Sequence, residues 1–406
     1  KEMKMSSSFD NLDTKIFNEY RREASKVVSY LVKEFELRKN ADQMKRAQTA
    51  KTGDLNMNRL YSYNFTEDIF KKISVVPQGK SHGLVMFLDW SGSMVKHFGN
   101  TVKQLLNLVL FCKKVNIPFE VYSFIESTDY AYNYSPSSHA KVGDLSMHTF
   151  GLINLLSSRM NSIDFTYASA SLMKMTGVNF SNGFYNVRTP SFMKMSGTPL
   201  NEAIIAAMEI VPKFQNKNRL QIVNTVFLTD GEGSPISSVW NDDPYKKFSH
   251  MVIRDPKTRN EEVYEKNPRN GGYSWNSMRQ TDCFIRLLRK RTGSHVIGFF
   301  VGESKDIINR VNYFFPREDG KSRISDYAFI DDLKDKFRKN SSLVVTTTGF
   351  DDYYVLRSNS LDTDDDDELV FKDNATTRGM VSAFSKYTGN KIASRVILNR
   401  FIGLIS

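Results

Sequence analysis

Cysteine is nearly absent: Cys112 and Cys283 are the only two in 406 residues. A disulfide framework is therefore excluded, and a reducing compartment is expected. Paired cysteines for zinc and an HExxH helix are also missing, and the 6 histidines are scattered. There is no glycine-rich phosphate loop ending in Lys and Ser or Thr, so the chain is not itself an ATPase. Ser91 has no evident His and acid partner, which argues against a hydrolase. No apolar run approaches the ~18 residues of a membrane span, and no secretory leader is visible. A cytoplasmic location away from membranes is the expectation. Acidic residues are the minority charge, 45 against 56 Lys plus Arg, which leaves a net +11. Such an excess favours acidic partners, nucleic acid or anionic surfaces, or simply aids solubility. The basic stretch Arg38, Lys39, Lys45, Arg46 and Lys51 has no interleaved aromatics for stacking on bases. It reads as a solvated helix face, and nucleic acid is not the expected partner.

What is present centres on LVMFLDWSGSM, Leu84 to Met94. Five apolar residues, Leu84 to Leu88, make a short buried-strand run that ends in Asp89, Ser91 and Ser93, three oxygen-bearing side chains at alternate positions. In a doubly wound sheet, ligands bind outside the carboxyl ends of the strands. A carboxylate and two hydroxyls leaving a strand tip on a Gly92 turn therefore converge in that crevice. Hard oxygens of this kind suit Mg2+, Ca2+ or Mn2+ rather than zinc.

At these residues the chain resembles the von Willebrand factor A domains, whose metal-ion-dependent adhesion site carries Asp-x-Ser-x-Ser with a distant Thr and a distant Asp. The matching positions are Thr198 in SGTPLNEA, at a loop-to-helix junction, and Asp230 in FLTDGEG, after a second apolar strand. The resemblance implies that Ser91 and Ser93 bind the metal through their hydroxyls and that Asp89 and Asp230 act mainly through water. Thr198 would bind directly or through water. It further implies an open coordination position for a partner's carboxylate, with no catalytic residue. Thr198 also reads as a plain helix N-cap with Pro199 following. Trp90, Gly197 and Glu232 surround the motif and are expected to contact the partner. Together with the approach segment RLYSYNFTEDIFKK, Arg59 to Lys72, the motif resembles the cobaltochelatase T subunit branch, including versions carried by tailed bacteriophages. That branch works beside a ring-forming AAA+ ATPase of the cobaltochelatase S or MoxR type. The implied function is a non-enzymatic adaptor between motor and substrate. A structural or assembly protein of a phage particle, and a true cobalt or magnesium chelatase subunit, are the alternatives.

The expected fold is α/β, a doubly wound, mostly parallel sheet flanked by helices. A helical region covers 1–75, the sheet domain 80–350 with insertions near 127–196 and 234–276, and an acidic linker with a basic helical extension 351–406. A first helix from about Asp13 to Lys51 presents Ile16, Tyr20, Val27, Leu31 and Phe35. Val102, Leu105, Leu106, Val109 and Leu110 stripe the helix after the motif, where Cys112 reads as core. Further strands are expected at Pro118–Ile125, Leu220–Leu228, His295–Gly302 and Leu343–Thr348, and a helix at Phe150–Met160. SLMKMTG (171–177) and SFMKMSG (191–197) echo each other and suggest two paired strands, whose methionines pack or form a soft binding surface. HMVIRDPKTRNEEVY reads as a β-hairpin. It should leave the sheet on the motif's side, as a specificity element or an incidental excursion. DTDDDDE, Asp362 to Glu368, lacks EF-hand spacing and reads as a solvated linker, or as a competitor for the open metal position or a cover for the basic N-terminal stretch.

Overall fold

The structure, a computed structural model, describes residues 14–45, 48–58, 65, 70–75, 81–126, 141, 143–146, 150–176, 195–238, 250–265, 277–317, 322–340, 342–357 and 402. Apolar spacing starts the chain as helix α1 (Lys15–Lys45), with Phe17, Ala24, Val28, Leu31 and Phe35 buried on one stripe. Of the expected stripe, Leu31 and Phe35 are buried and Tyr20 packs against the core, while the side chains of Ile16 and Val27 lie outside the described ones. The helix also ends before Lys51, because β1 (Gln48–Leu55) and β2 (Phe70–Val75) pair antiparallel as a separate ribbon.

The core follows in order: β3 (His82–Asp89), α2 (Phe98–Lys114), β4 (Phe119–Glu126), β5 (Leu145–Ser146), β6 (Phe150–Ser157), α3 (Ser162–Thr176), α4 (Leu200–Asn218) and β7 (Ile222–Thr229). Then come β8 (Ser237–Ser238), β9 (His250–Arg254), β10 (Glu261–Glu265), α5 (Ser277–Thr292), β11 (His295–Gly302), α6 (Ser304–Asn309), α7 (Val311–Phe314), α8 (Tyr327–Asn340), β12 (Ser342–Val345) and β13 (Asp352–Arg357). Seven strands form one sheet in the order β12-β13-β11-β7-β3-β4-β6. The inner five are parallel, and the edge strands β12 and β6 run antiparallel. This is the expected α/β architecture. The parallel strands are apolar on both faces because helices cover both.

Alternation along β3 shows the layering. Leu84, Met86 and Leu88 face α1, α2 and α3, while Val85 and Phe87 share a core with Ile204 and Val211 of α4 and Ile285 and Leu288 of α5. A third cluster, Phe300, Phe314, Phe337 and Val355, binds α7 and α8 to the β11–β13 end. Helix α2 is buried nearly all round, Cys112 included, because the sheet lies beneath it and α1 and α3 pack against it.

Two local expectations fail. Phe150–Ser157 is a strand, not a helix, because the edge of β4 offers it a full antiparallel ladder. The first methionine echo ends α3, where Met173 and Met175 are buried at 9% and 7% exposure, so the pair of strands does not exist. Alternating Met and Lys over six residues is too short to distinguish period 2 from period 3.6. Met193 lies outside the described residues, and Met195 packs against the core beside α1 and α2. The β9–β10 hairpin forms as expected, with Arg259 in a left-handed turn conformation. Of the linker and extension expected over 351–406, Asp352–Arg357 is instead strand β13 of the sheet, and the acidic run 362–368 and the extension after it, residue 402 apart, lie outside the described residues.

Candidate metal centre

Strands β3 and β7 are neighbours, and Leu88 pairs with Leu228, so their tips place Asp89 beside Thr229 and Asp230. Asp89 is fully buried. One carboxylate oxygen accepts the Ser91 N–H at 2.9 Å, and the other accepts the Thr229 hydroxyl at 2.5 Å. The first bond is an Asx turn, which bends the chain so that Ser91 and Ser93 follow on the same side. Their hydroxyls are 3.0 Å apart, and Ser93 Oγ donates to Asp230 Oδ1 at 2.7 Å. Asp89, Ser91, Ser93 and Asp230 thus form one hydrogen-bonded chain across two strand ends.

Thr198 arrives on a third segment. Ser196 bridges to Ser91 and its carbonyl accepts the Gly92 N–H at 3.0 Å, while the Thr198 carbonyl accepts the Ser234 N–H at 3.1 Å. Thr198 Oγ1 lies against Gly231, where an added Cβ would be 3.5 Å from it. The hydroxyl does not cap α4: the helix starts at Leu200 with Pro199 before it and no side-chain cap bond. The structure thus links Asp89, Ser91, Ser93 and Asp230 by hydrogen bonds and sets Thr198 against Gly231, next to Asp230.

Burial pushes the Asp89 carboxyl up to about 7, the nearby Asp230 charge adds to this, and the bonds from Thr229 and Ser91 oppose it. Burial also raises Asp230, with Asp306 contributing and Ser93 and His97 opposing. Two crowded carboxylates with neutral hydroxyls between them make a site of negative potential, and a bound cation would relieve that penalty. Every donor is a hard oxygen, which fits Mg2+, Mn2+ or Ca2+. Among the described residues no group of three His, Cys, Asp or Glu side chains could hold a metal. The set here has two carboxylates and three hydroxyls, so the protein's own charges would at most balance a divalent ion and not exceed it.

The three expected rim residues fare differently. Trp90 is 2% exposed and packs edge-on against Phe98, ring centroids 4.5 Å apart, so it is core and unavailable to a partner. Gly197 gives its N–H to Glu126 Oε2 at 2.8 Å, and a Cβ there would fall 2.2 Å from that oxygen. Glu232 is at the surface, ion-paired with Arg310 at 3.1 Å. Sequence reasoning missed Thr229 and Glu126. Glu126 also accepts the Ser196 hydroxyl at 3.2 Å and so anchors the segment that carries Thr198. Its signal was available: it terminates an apolar strand, as Asp89 does.

The hairpin expected beside the site folds elsewhere. After β8 pairs with β5, β9 and β10 lie along α5. The turn is fastened by Arg291 to Asp255 and by Lys257 to Glu209, at the end of the sheet opposite Asp89. A specificity role at the centre is therefore not available to that turn.

No protein-family model matches the chain, and no characterised protein matches it in sequence. Among solved structures, the pilus adhesin SpaC of Lactobacillus rhamnosus GG in its open conformation is 13% identical, with a TM-score of 0.33. The match covers 65% of this chain and 31% of SpaC, so the chain spans about a third of that protein. The vWF domain of the type V pilus tip protein Mfa5 from Porphyromonas gingivalis is 9% identical, with a TM-score of 0.28, covering 65% of this chain and 97% of that one. Human COPII-coat protein Sec24c is 10% identical, with a TM-score of 0.23, covering 66% and 33%. These are distant likenesses in fold alone.

Proposed function

We propose that this chain is a protein-interaction module of the von Willebrand factor A type that recognises an acidic side chain through a divalent cation. The observation that carries the reading is the chain Asp89–Ser91–Ser93–Asp230 across adjacent strand tips, with Thr198 brought alongside. Asp89, Ser91, Ser93, Thr198 and Asp230 would hold Mg2+, Mn2+ or Ca2+. The ion would supply a Lewis-acidic position for a partner's carboxylate. The residues themselves need no nucleophile or base for this. Asp89 and Thr229 fix the first turn, and Glu126 holds the Thr198 segment in place. The partner class favoured by the DWSGSM motif and its approach segment is a ring-forming AAA+ ATPase, for which the chain would act as adaptor.

The test is an affinity capture from the native host with wild type beside Asp89→Ala, each in Mg2+ and in EDTA. An AAA+ ATPase retained by wild type in Mg2+ alone supports the adaptor reading. Equal capture in all four conditions sinks the metal-dependent interaction, and recovery of phage-particle proteins indifferent to metal assigns a structural role instead. Retention of a tetrapyrrole would move the chain to the chelatase reading.

A further inference from the structure

Helices α1 and α2 cross the sheet's outer face with an unusual pairing of charges. Arg21, Arg22, Ser25, Lys26, Ser29 and Asn18 line a broad, shallow hollow of about 440 Å³ on one flank of α1. A second hollow of about 180 Å³ adjoins it, sharing Arg21 and Ser25 and adding Lys113 and Lys114 from the end of α2. Five cations therefore face one depression within about two helical turns, roughly 11 Å. Among the described residues no carboxylate lies within ion-pair distance of any of them, although the same molecule pairs other cations repeatedly along α5. The cleft is built rather than incidental. Tyr20 ties α1 to α2 by donating to the Lys103 carbonyl at 2.8 Å, and Lys114 Nζ donates to Ser29 Oγ at 2.5 Å and Ser25 Oγ at 3.2 Å. Lys113 Nζ sits 4.0 Å over the Phe165 ring from α3, which fixes its ammonium at the wall. Burial, first, and the neighbouring Arg21 charge lower the Lys113 pKa.

We propose that the α1–α2 cleft is a binding site for a compact phosphorylated ligand, one carrying two or more linked phosphates. The charge density selects this class. A single carboxylate cannot neutralise five cations, whereas linked phosphates bring several charges in the same span and accept the planar fork of an arginine. The Ser25 and Ser29 hydroxyls line the cleft floor between the charged heads. An aromatic platform for bases is missing from the cleft lining, so an extended nucleic acid is the weaker fit. This site is independent of the metal centre, and no residue is shared.

The experiment is titration calorimetry of the full chain in EDTA at low salt, with inorganic tripolyphosphate as the probe. Wild type is expected to bind it, with Arg21→Ala/Lys26→Ala and, separately, Lys113→Gln each weakening binding at least fivefold. These side chains are solvent-exposed, and unchanged unfolding midpoints would show that the fold is intact. Lys213→Ala/Lys217→Ala on α4 removes the same charge elsewhere and should leave binding unchanged. Absence of binding by wild type, or equal losses in the α4 control, overturns the site. Tighter binding of a poly-glutamate peptide than of tripolyphosphate overturns the phosphate assignment, as does tighter binding of a single-stranded oligonucleotide. Asp89→Ala must bind tripolyphosphate like wild type, so failure here and failure of the metal-dependent reading are separable.

Discussion

At the scale of single residues, Asp89 carries the clearest consequence. Its folded value of about 7 exceeds its ordinary value of 3.8, so the folded state holds the proton more tightly. The stability this group contributes is present below about pH 4 and is lost as pH rises towards 7, on the order of 4 kcal/mol in all. In EDTA, urea midpoints of wild type should fall across that window, and Asp89→Asn, which keeps the shape without the charge, should flatten the fall. A midpoint that rises with pH in wild type alone would contradict the burial argument. Trp90 makes the opposite point. Because its ring lies against Phe98 in the core, Trp90→Ala is expected to cost about 3–5 kcal/mol in unfolding experiments, with metal affinity changed only through stability. Its place within the motif led to the expectation that it contacts the partner. Only the packing of the strand-end turn against α2 showed where the ring goes.

At the scale of elements, the segment 195–198 is held by contacts from three directions, and Glu126 is the charged one. Glu126→Gln retains one acceptor, and Glu126→Ala retains none. Because Glu126 acts on Thr198 only through Ser196 and Gly197, metal affinity should fall by up to about tenfold, less in the first variant than in the second. Isothermal titration with Mn2+ reads this directly, and unchanged affinity in Glu126→Ala would remove its positioning role. The hairpin is a separate matter of stability. Arg291 is its buried clasp to Asp255, whose side chain is 1% exposed, so Arg291→Ala should destabilise the fold by about 3 kcal/mol. Amide exchange should then rise first across β9 and β10. The hairpin itself was legible, because Asp255-Pro256 and Arg259-Asn260 punctuate two alternating runs. Its docking on α4 and α5 was not, since Glu209 lies 46 positions before Asp255 and Arg291 lies 36 after it.

At the scale of the whole molecule, a divalent cation that binds the folded state alone raises stability by RT ln(1 + [L]/Kd), about 2.7 kcal/mol at a hundredfold excess over Kd. Thermal midpoints should therefore rise with Mg2+ or Mn2+, and more at pH 8 than at pH 5.5, since binding competes with the proton on Asp89. A rise independent of pH, or one that persists in Asp89→Ala, would mean the ion binds elsewhere.

The amino-acid sequence by itself determined the α/β class, the apolar parallel strands around Leu84–Leu88, Leu220–Leu228 and His295–Gly302, and the oxygen-bearing side chains that follow Leu88. These follow from local patterns, in which period, strand length and the residue at the strand tip lie within one short window. Tertiary structure alone decided that Phe150–Ser157 is an edge strand, that Trp90 is core, that Glu126 braces the Thr198 segment and that five cations share one cleft. Each of these depends on a neighbour far along the chain, and a short window carries no record of which distant face, hydrogen-bond donor or charge will be brought beside it.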